Sequence, residues 1–321
     1  MLTLRTTCQA AASVVLVAVC SACVPASSSG SPSGARGAGS NRGVISVGSF
    51  DFPESGLLAE IYGQALAAHG FPVRIVTNLG SRELVDPALM SGLIQLVPEY
   101  AGSALEFASL GRQSAVSSAA ATNQALTASV AGAGLVVGHP APAQDTNAIV
   151  VTAATAARYD LQSIADLARV APGLVFGGPP ECPGRPYCLP GLEHTYGVHF
   201  REFIPLDAGG PLTLQALDAG YVNAALLFST NPGITARHLV VLADDRGLQP
   251  AENITPLVRH DVVARYGTGL VAVLDRVSGR LDTGSLRAMD ALVQLDGQAP
   301  RQVARSWLRA QRLVPEERAV R

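Results

Sequence analysis

Short apolar runs alternate along this chain with longer stretches in which apolar residues recur every three or four positions. Val44–Gly48 reads as a strand. From Ser55 to about His69 the residues Leu57, Leu58, Ile61, Tyr62, Ala65 and Leu66 keep helical spacing, and Gly70 supplies a stop. Val73–Thr77 predicts the next strand. Ser81 is placed to cap a helix that ends near Gly92, with Pro87 implying a kink or a second start at Asp86-Pro87. Leu93–Val97 predicts a third strand. This order of strand, helix, strand, helix, strand implies a parallel sheet with right-handed crossovers.

A second unit repeats the pattern. Leu174–Phe176, Glu202–Pro205 and Val222–Leu227 read as strands, with helices Leu189–Tyr196 and Leu212–Ala219 between them. Beyond His260 the chain is strongly helical, most clearly over Leu281–Leu295 and Arg301–Leu308. Periodicity thus predicts an α/β protein.

The first residues have a different character. Arg5 precedes an apolar run from Ala10 to Val19. That run is shorter than the about 20 residues of a spanning helix and has the length of a signal-peptide core. Cys20-Ser21-Ala22-Cys23 follows. Lipoprotein leaders are cut before a cysteine that is then acylated, behind a small residue. Ala22 before Cys23 meets this and Val19 before Cys20 does not, so Cys23 is the expected lipidation site and 1–22 the leader. A plain cleaved signal peptide is the competing reading. Residues 23–43, rich in Ser, Gly, Ala and Pro, predict a flexible tether.

Composition narrows the function classes. Of 321 residues, 48% are apolar and 15% charged, enough for two lobes with real cores. A net charge of −2 gives no footprint for nucleic acid. The basic side chains are all arginine, which excludes Schiff-base or P-loop lysine chemistry. Cys182 and Cys188 are the two cysteines beyond the leader and its Cys23. In an oxidising compartment they predict a disulfide across a small loop. A metal site competes, but His194 has no second His at ligand spacing. No metal or other cofactor is expected.

Several motifs, taken in order, resemble one family. They are Val47-Gly48-Ser49-Phe50-Asp51-Phe52-Pro53-Glu54, then Asn78-Leu79-Gly80-Ser81-Arg82-Glu83, then Pro98-Glu99-Tyr100-Ala101-Gly102-Ser103. The run from Phe176 through Cys182 to Glu193 follows, then Asp207-Ala208-Gly209-Gly210-Pro211 and Gly247-Leu248-Gln249-Pro250-Ala251-Glu252-Asn253. The chain resembles the glycine betaine/choline osmoprotectant-binding proteins of ABC importers. The resemblance implies a bilobed periplasmic-binding-protein type II fold, two α/β lobes joined by two crossing strands. Residues 44–145 and 249–321 would form lobe I and 146–248 lobe II. It also implies capture of a small solute between the lobes and delivery to an ABC permease and its ATPase. The protein would be a monomer, exported and held on the outer face of the cell membrane through its lipid. The alternatives are the same fold with an altered ligand, a polar or flat-ring compound, or a lipoprotein that senses or scavenges a ligand without import.

The family's ligands carry a quaternary ammonium held by aromatic faces. Tyr100 matches a cage wall at a strand end. Phe52 and Phe228 are further candidate walls, the latter where relatives often carry Tyr. Asn147 and the Gly209-Gly210-Pro211 segment stand where relatives have aromatics, which implies an altered, more polar cleft. Ser49, Ser103, Asn147 and Thr230 are candidate polar contacts, with helix caps and turns as the competing reading. Asp51, Glu54 and Glu99 lie on the same loops and would offset a cationic head group or cap helix starts.

Catalysis is not expected. The six His are scattered, without H-E-x-x-H spacing, and there is no G-x-S-x-G elbow or helix-opening G-x-G-x-x-G.

Overall fold

The structure, a computed structural model, describes residues 43–112 and 118–314. The leader, Cys20, Cys23 and nearly all of the tether lie outside the described residues.

The first strand, β1 (Ile45–Gly48), runs into α1 (Pro53–Ala68). Helix α1 begins two residues earlier than the periodicity suggests, because Pro53 suits the first helical position, where its missing N–H is not needed. Then come β2 (Val73–Val76), α2 (Arg82–Ser91), β3 (Leu96–Tyr100), α3 (Ala101–Ser109), α4 (Ala119–Val130) and β4 (Leu135–Val137). Helix α2 runs through Pro87 without a second start; Pro87 lies on the exposed face. Ser81 takes the N-cap position, but its hydroxyl serves Glu83 instead of the backbone. Strand β3 starts three residues later than Leu93, which stays exposed in the preceding turn, and so reaches Tyr100.

The second sheet is built from β5 (Asn147–Thr152), α5 (Ala153–Tyr159), α6 (Ile164–Leu167), β6 (Val175–Gly178), α7 (Leu189–Tyr196), β7 (Glu202–Pro205), α8 (Pro211–Asp218), β8 (Ala224–Phe228), α9 (Gly233–Ala236) and β9 (Leu239–Val241). The chain ends in β10 (Ile254–Arg259), α10 (His260–Tyr266), α11 (Thr268–Ser278), α12 (Thr283–Gln294) and α13 (Pro300–Ala310).

Two five-stranded sheets result, ordered β2-β1-β3-β10-β4 and β7-β6-β8-β5-β9. The β1–β2, β1–β3, β6–β7 and β6–β8 pairs are parallel, as crossover helices require. The two strands that begin after a crossing run against their neighbours: β10 is antiparallel to β3 and β4, and β5 to β8 and β9. Each sheet is covered on both faces. In β5, Ile149 and Val151 enter one core cluster while Ala148 and Val150 enter another. That explains the unbroken apolar runs of the central strands.

The connections 138–146 and 242–253 carry the chain between the sheets. They are bonded to each other where they pass. Asp145 N donates to Glu252 O (3.1 Å), Ile254 N to Ala143 O (3.0 Å), and Gln144 bridges Asn253. Among the described residues no helix is long and apolar enough to cross a membrane.

Candidate functional site

A cavity of about 310 Å³ lies where the strand-end loops of the two sheets meet. Its position follows the rule for open α/β sheets, which leave a crevice beyond their strand ends.

Three rings form one wall. Phe52 leaves β1 just before α1, Tyr100 is the last residue of β3, and Phe228 is the last residue of β8. The Phe52 and Phe228 centroids are 4.9 Å apart and those of Phe52 and Tyr100 5.8 Å. All three line the cavity, so the rings predicted from sequence come together from both sheets. Phe50 stacks on Phe52 at 5.9 Å and also lines the cavity; sequence reasoning did not single it out. Its spacing of two from Phe52 along an extended segment was the available signal.

Behind this wall sits a buried acidic group. Tyr100 Oη donates to Glu54 Oε1 (2.7 Å) and Thr230 Oγ1 to Glu54 Oε2 (2.5 Å). Glu54 is in the first turn of α1 and only 3% exposed. Burial first, then the charge of Asp290 on α12, raises the Glu54 carboxyl well above its ordinary range. Burial also pushes Asp290 up to about 7. The Tyr100 phenol is likewise raised, by burial and then by the Glu54 and Asp145 carboxylates. Thr230 therefore bonds Glu54 from behind the wall and does not line the main cavity.

The polar candidates divide. Ser103 lines the cavity, with its hydroxyl donating to Glu252 Oε1 (2.5 Å). Glu252 also accepts from Gly102 N and Ser103 N at the start of α3, and burial pushes it up to about 7. Asn147 lines the cavity, but its side-chain amide donates to Tyr187 O (3.2 Å) and Gln249 Oε1 (3.0 Å). Ser49 is fully buried outside the cavity. Its Oγ donates to Phe50 O (2.9 Å) and accepts from Asn78 N (3.1 Å), so it shapes the loop that carries Phe50 and Phe52.

Two arginines reach the cavity. Arg82 holds Glu99 through Nε and Nη2 at 2.9 and 2.8 Å in a buried bidentate pair. Burial opposes its charge, but Glu99 outweighs this and raises Arg82 above its usual value. Its guanidinium also lies 5.1 Å over the Phe50 ring. Arg185, in the loop closed by the Cys182–Cys188 disulfide, pairs with Glu83 on α2 at 2.9 and 3.0 Å. That pair ties the first turn of α2 to the disulfide-closed loop, and both residues line the cavity.

Gly209 occupies a place where the family resemblance implies an aromatic. Its φ of 69° is left-handed, and a Cβ there would meet Phe228 Cδ2 at 3.3 Å. The turn thus presses bare backbone against Phe228 instead of adding a ring.

Residues 43–310 match the family model described as the substrate binding domain of an ABC-type glycine betaine transport system. A glycine-betaine-binding protein of Pseudomonas aeruginosa is 30% identical over 86% of this chain and 90% of its own length. The glycine betaine-binding protein YehZ of Escherichia coli is 29% identical over 83% and 90%. Among solved structures, apo YehZ from Escherichia coli superposes with a TM-score of 0.60 at 28% identity, over 84% of this chain and 99% of that one. A glycine betaine/carnitine/choline ABC transporter structure gives 0.66 at 21% identity, with the same coverage, and supports the periplasmic-binding fold alone. This chain belongs to the substrate-binding domain family of ABC-type glycine betaine transport systems.

Proposed function

We propose that this protein captures a small organic ammonium solute, of the glycine betaine or choline kind, and delivers it to an ABC permease and its ATPase. The observation that carries this is the wall of Phe52, Tyr100 and Phe228, contributed by both sheets around one cavity. Ring faces attract a cation by about 0.5–2 kcal/mol each. Residues 44–145 with 249–321 act as one lobe and 146–248 as the other. They open about the paired crossings at Asp145 and Glu252 and close on the solute, which contacts both lobes only in the closed form. The leader, Cys23 and the tether fit export and anchoring of a monomer beside its permease. Neither catalysis nor a cofactor belongs to this reading.

Calorimetric titration of the leaderless protein with glycine betaine, choline, carnitine and proline betaine tests it. Saturable heat with at least one of them is expected; no heat with any contradicts the ammonium assignment and leaves the fold untouched.

A further inference from the structure

We propose that Phe107 and Tyr187 are two further rings of the solute cage, and that Asn147 is a positioning residue for Tyr187 instead of a solute contact. The proposal rests on the solute-binding reading above and assigns further residues to its site.

Rings are scarce in this chain, with 8 Phe, 7 Tyr and 1 Trp, yet Phe50, Phe52, Tyr100, Phe107, Tyr187 and Phe228 all line this one cavity. Phe107 faces it because of helix geometry. In α3, Ser103, Glu106 and Phe107 stand three and four residues apart on one face, and all three line the cavity. Ala101, Ala104, Leu105 and Ala108 occupy the opposite face and pack in the core of the first sheet. Phe107 is half-buried and, among the described residues, belongs to none of the apolar core clusters. Its ring is held at the cavity and not spent on the core.

Tyr187 comes from the other sheet's side, in a loop held at several points. The Cys182–Cys188 disulfide closes the loop, and Arg185 pairs with Glu83 at 2.9 and 3.0 Å. Helix α7 packs against the Pro186 carbonyl at Gly191, where a Cβ would collide with it. A further clamp acts on Tyr187 itself. Its carbonyl accepts from Asn147 Nδ2 (3.2 Å) and from Gln249 Nε2 (3.0 Å). Asn147 Nδ2 also donates to Gln249 Oε1 (3.0 Å), so protein acceptors engage the Asn147 amide. Asn147 is the register partner of Phe228, which sets the clamped backbone of Tyr187 close to the ring wall already described. Asn147 stands where the family resemblance implies a ring. Here it carries none and holds one brought by the disulfide loop. Added rings suit a quaternary ammonium, which offers no N–H and is attracted by ring faces.

Calorimetry on the leaderless protein with glycine betaine and choline tests this. Phe107→Leu and Tyr187→Leu keep apolar bulk and remove the ring. Each should weaken binding about 3- to 30-fold, the span of one lost ring contact. Tyr187→Phe keeps the ring and should bind within about twofold of wild type. A Leu variant that also binds within about twofold would remove its ring from the cage. Should a Leu variant fail to fold by circular dichroism, the Met variant replaces it. Asn147 is tested by a double-mutant cycle. Asn147→Ala alone should weaken binding, and in the Tyr187→Leu background it should change affinity by less than about twofold. An undiminished effect in that background would mean that Asn147 meets the solute itself, and would overturn its positioning role. Wild-type binding that both Leu variants retain would overturn the two added rings and leave the ammonium reading intact. No binding of either compound by the wild type would overturn both together.

Discussion

Thr230 donates its hydroxyl to Glu54 at 2.5 Å, so a side chain in the turn that follows β8 of the second sheet is tied to the first turn of α1 beside the first. Tyr100 holds the other oxygen of the same carboxyl at 2.7 Å. One buried acid thus fixes the ring that lines the cavity and links the two halves of the protein.

Stability should depend on pH through this group. Glu54, Asp145, Asp290 and Glu252 all have carboxyls raised by burial, the last two to about 7. Unfolded carboxylates titrate near ~4. The folded chain therefore binds more protons than the unfolded chain between these values, and stability falls as pH rises through that window. Arg287 on α12 donates to the Ser229 carbonyl, and the burial that raises Glu54 is not offset by an ion pair among the described residues. The unfolding temperature should be higher at pH 5 than at pH 7.5. Glu54→Gln, which cannot ionise, should flatten the curve; an unchanged slope would remove Glu54 from the effect.

Tyr100 has two roles that substitution separates. Tyr100→Ala removes a ring from the wall and should abolish measurable solute binding. Tyr100→Phe keeps the ring and leaves Glu54 Oε1 without its donor, costing about 1–3 kcal/mol of stability. Binding by the Phe variant should survive within a few-fold. Equal loss of binding in both variants would mean that the hydroxyl, not the ring face, meets the solute.

The Arg82–Glu99 pair sets the floor beneath Phe50. Side-chain exposure is 8% for Arg82 and 0% for Glu99. Removing one partner of such a pair costs about 3–5 kcal/mol, because a buried charge loses its counterpart. Denaturant unfolding should show Arg82→Ala less stable by that amount, whereas Arg185→Ala, at an exposed pair, should lose less than about 1 kcal/mol.

The architecture was legible in the chain because its signals are local. Glu202–Pro205 and Leu189–Tyr196 fold as their patterns predict. Strand β3 was displaced because Leu93 looks like a strand residue, and only packing shows that it stays in solvent. The Ala-rich helix α4 has no strong apolar stripe and gave no helical signal. At the site, Tyr100, Phe52 and Phe228 could be read from their places at strand ends. The acidic group could not. Glu54, Asp145 and Asp290 are distant in sequence, and a carboxylate on a loop reads as a cap until tertiary contacts bury it. Ser49 shows the reverse: it lies on a cavity loop, yet its bonds are internal to that loop.

The disulfide restrains the loop that carries Arg185 and Tyr187 to the cavity. For so short a loop the chain-entropy estimate is about 2 kcal/mol. Cys182→Ser with Cys188→Ser should destabilise by about that amount and weaken solute binding. The protein purified under oxidising conditions should show no reactive thiol at either position, which a thiol titration under denaturing conditions checks.

The central claim is that the solute lies against the ring wall shared by the two sheets. A crystal structure of the leaderless protein with its tightest-binding ammonium compound tests this most directly. The account predicts the nitrogen within about 6 Å of the ring centroids of Phe52, Tyr100 and Phe228. A ligand bound elsewhere, with those three rings still packed on one another, would contradict it.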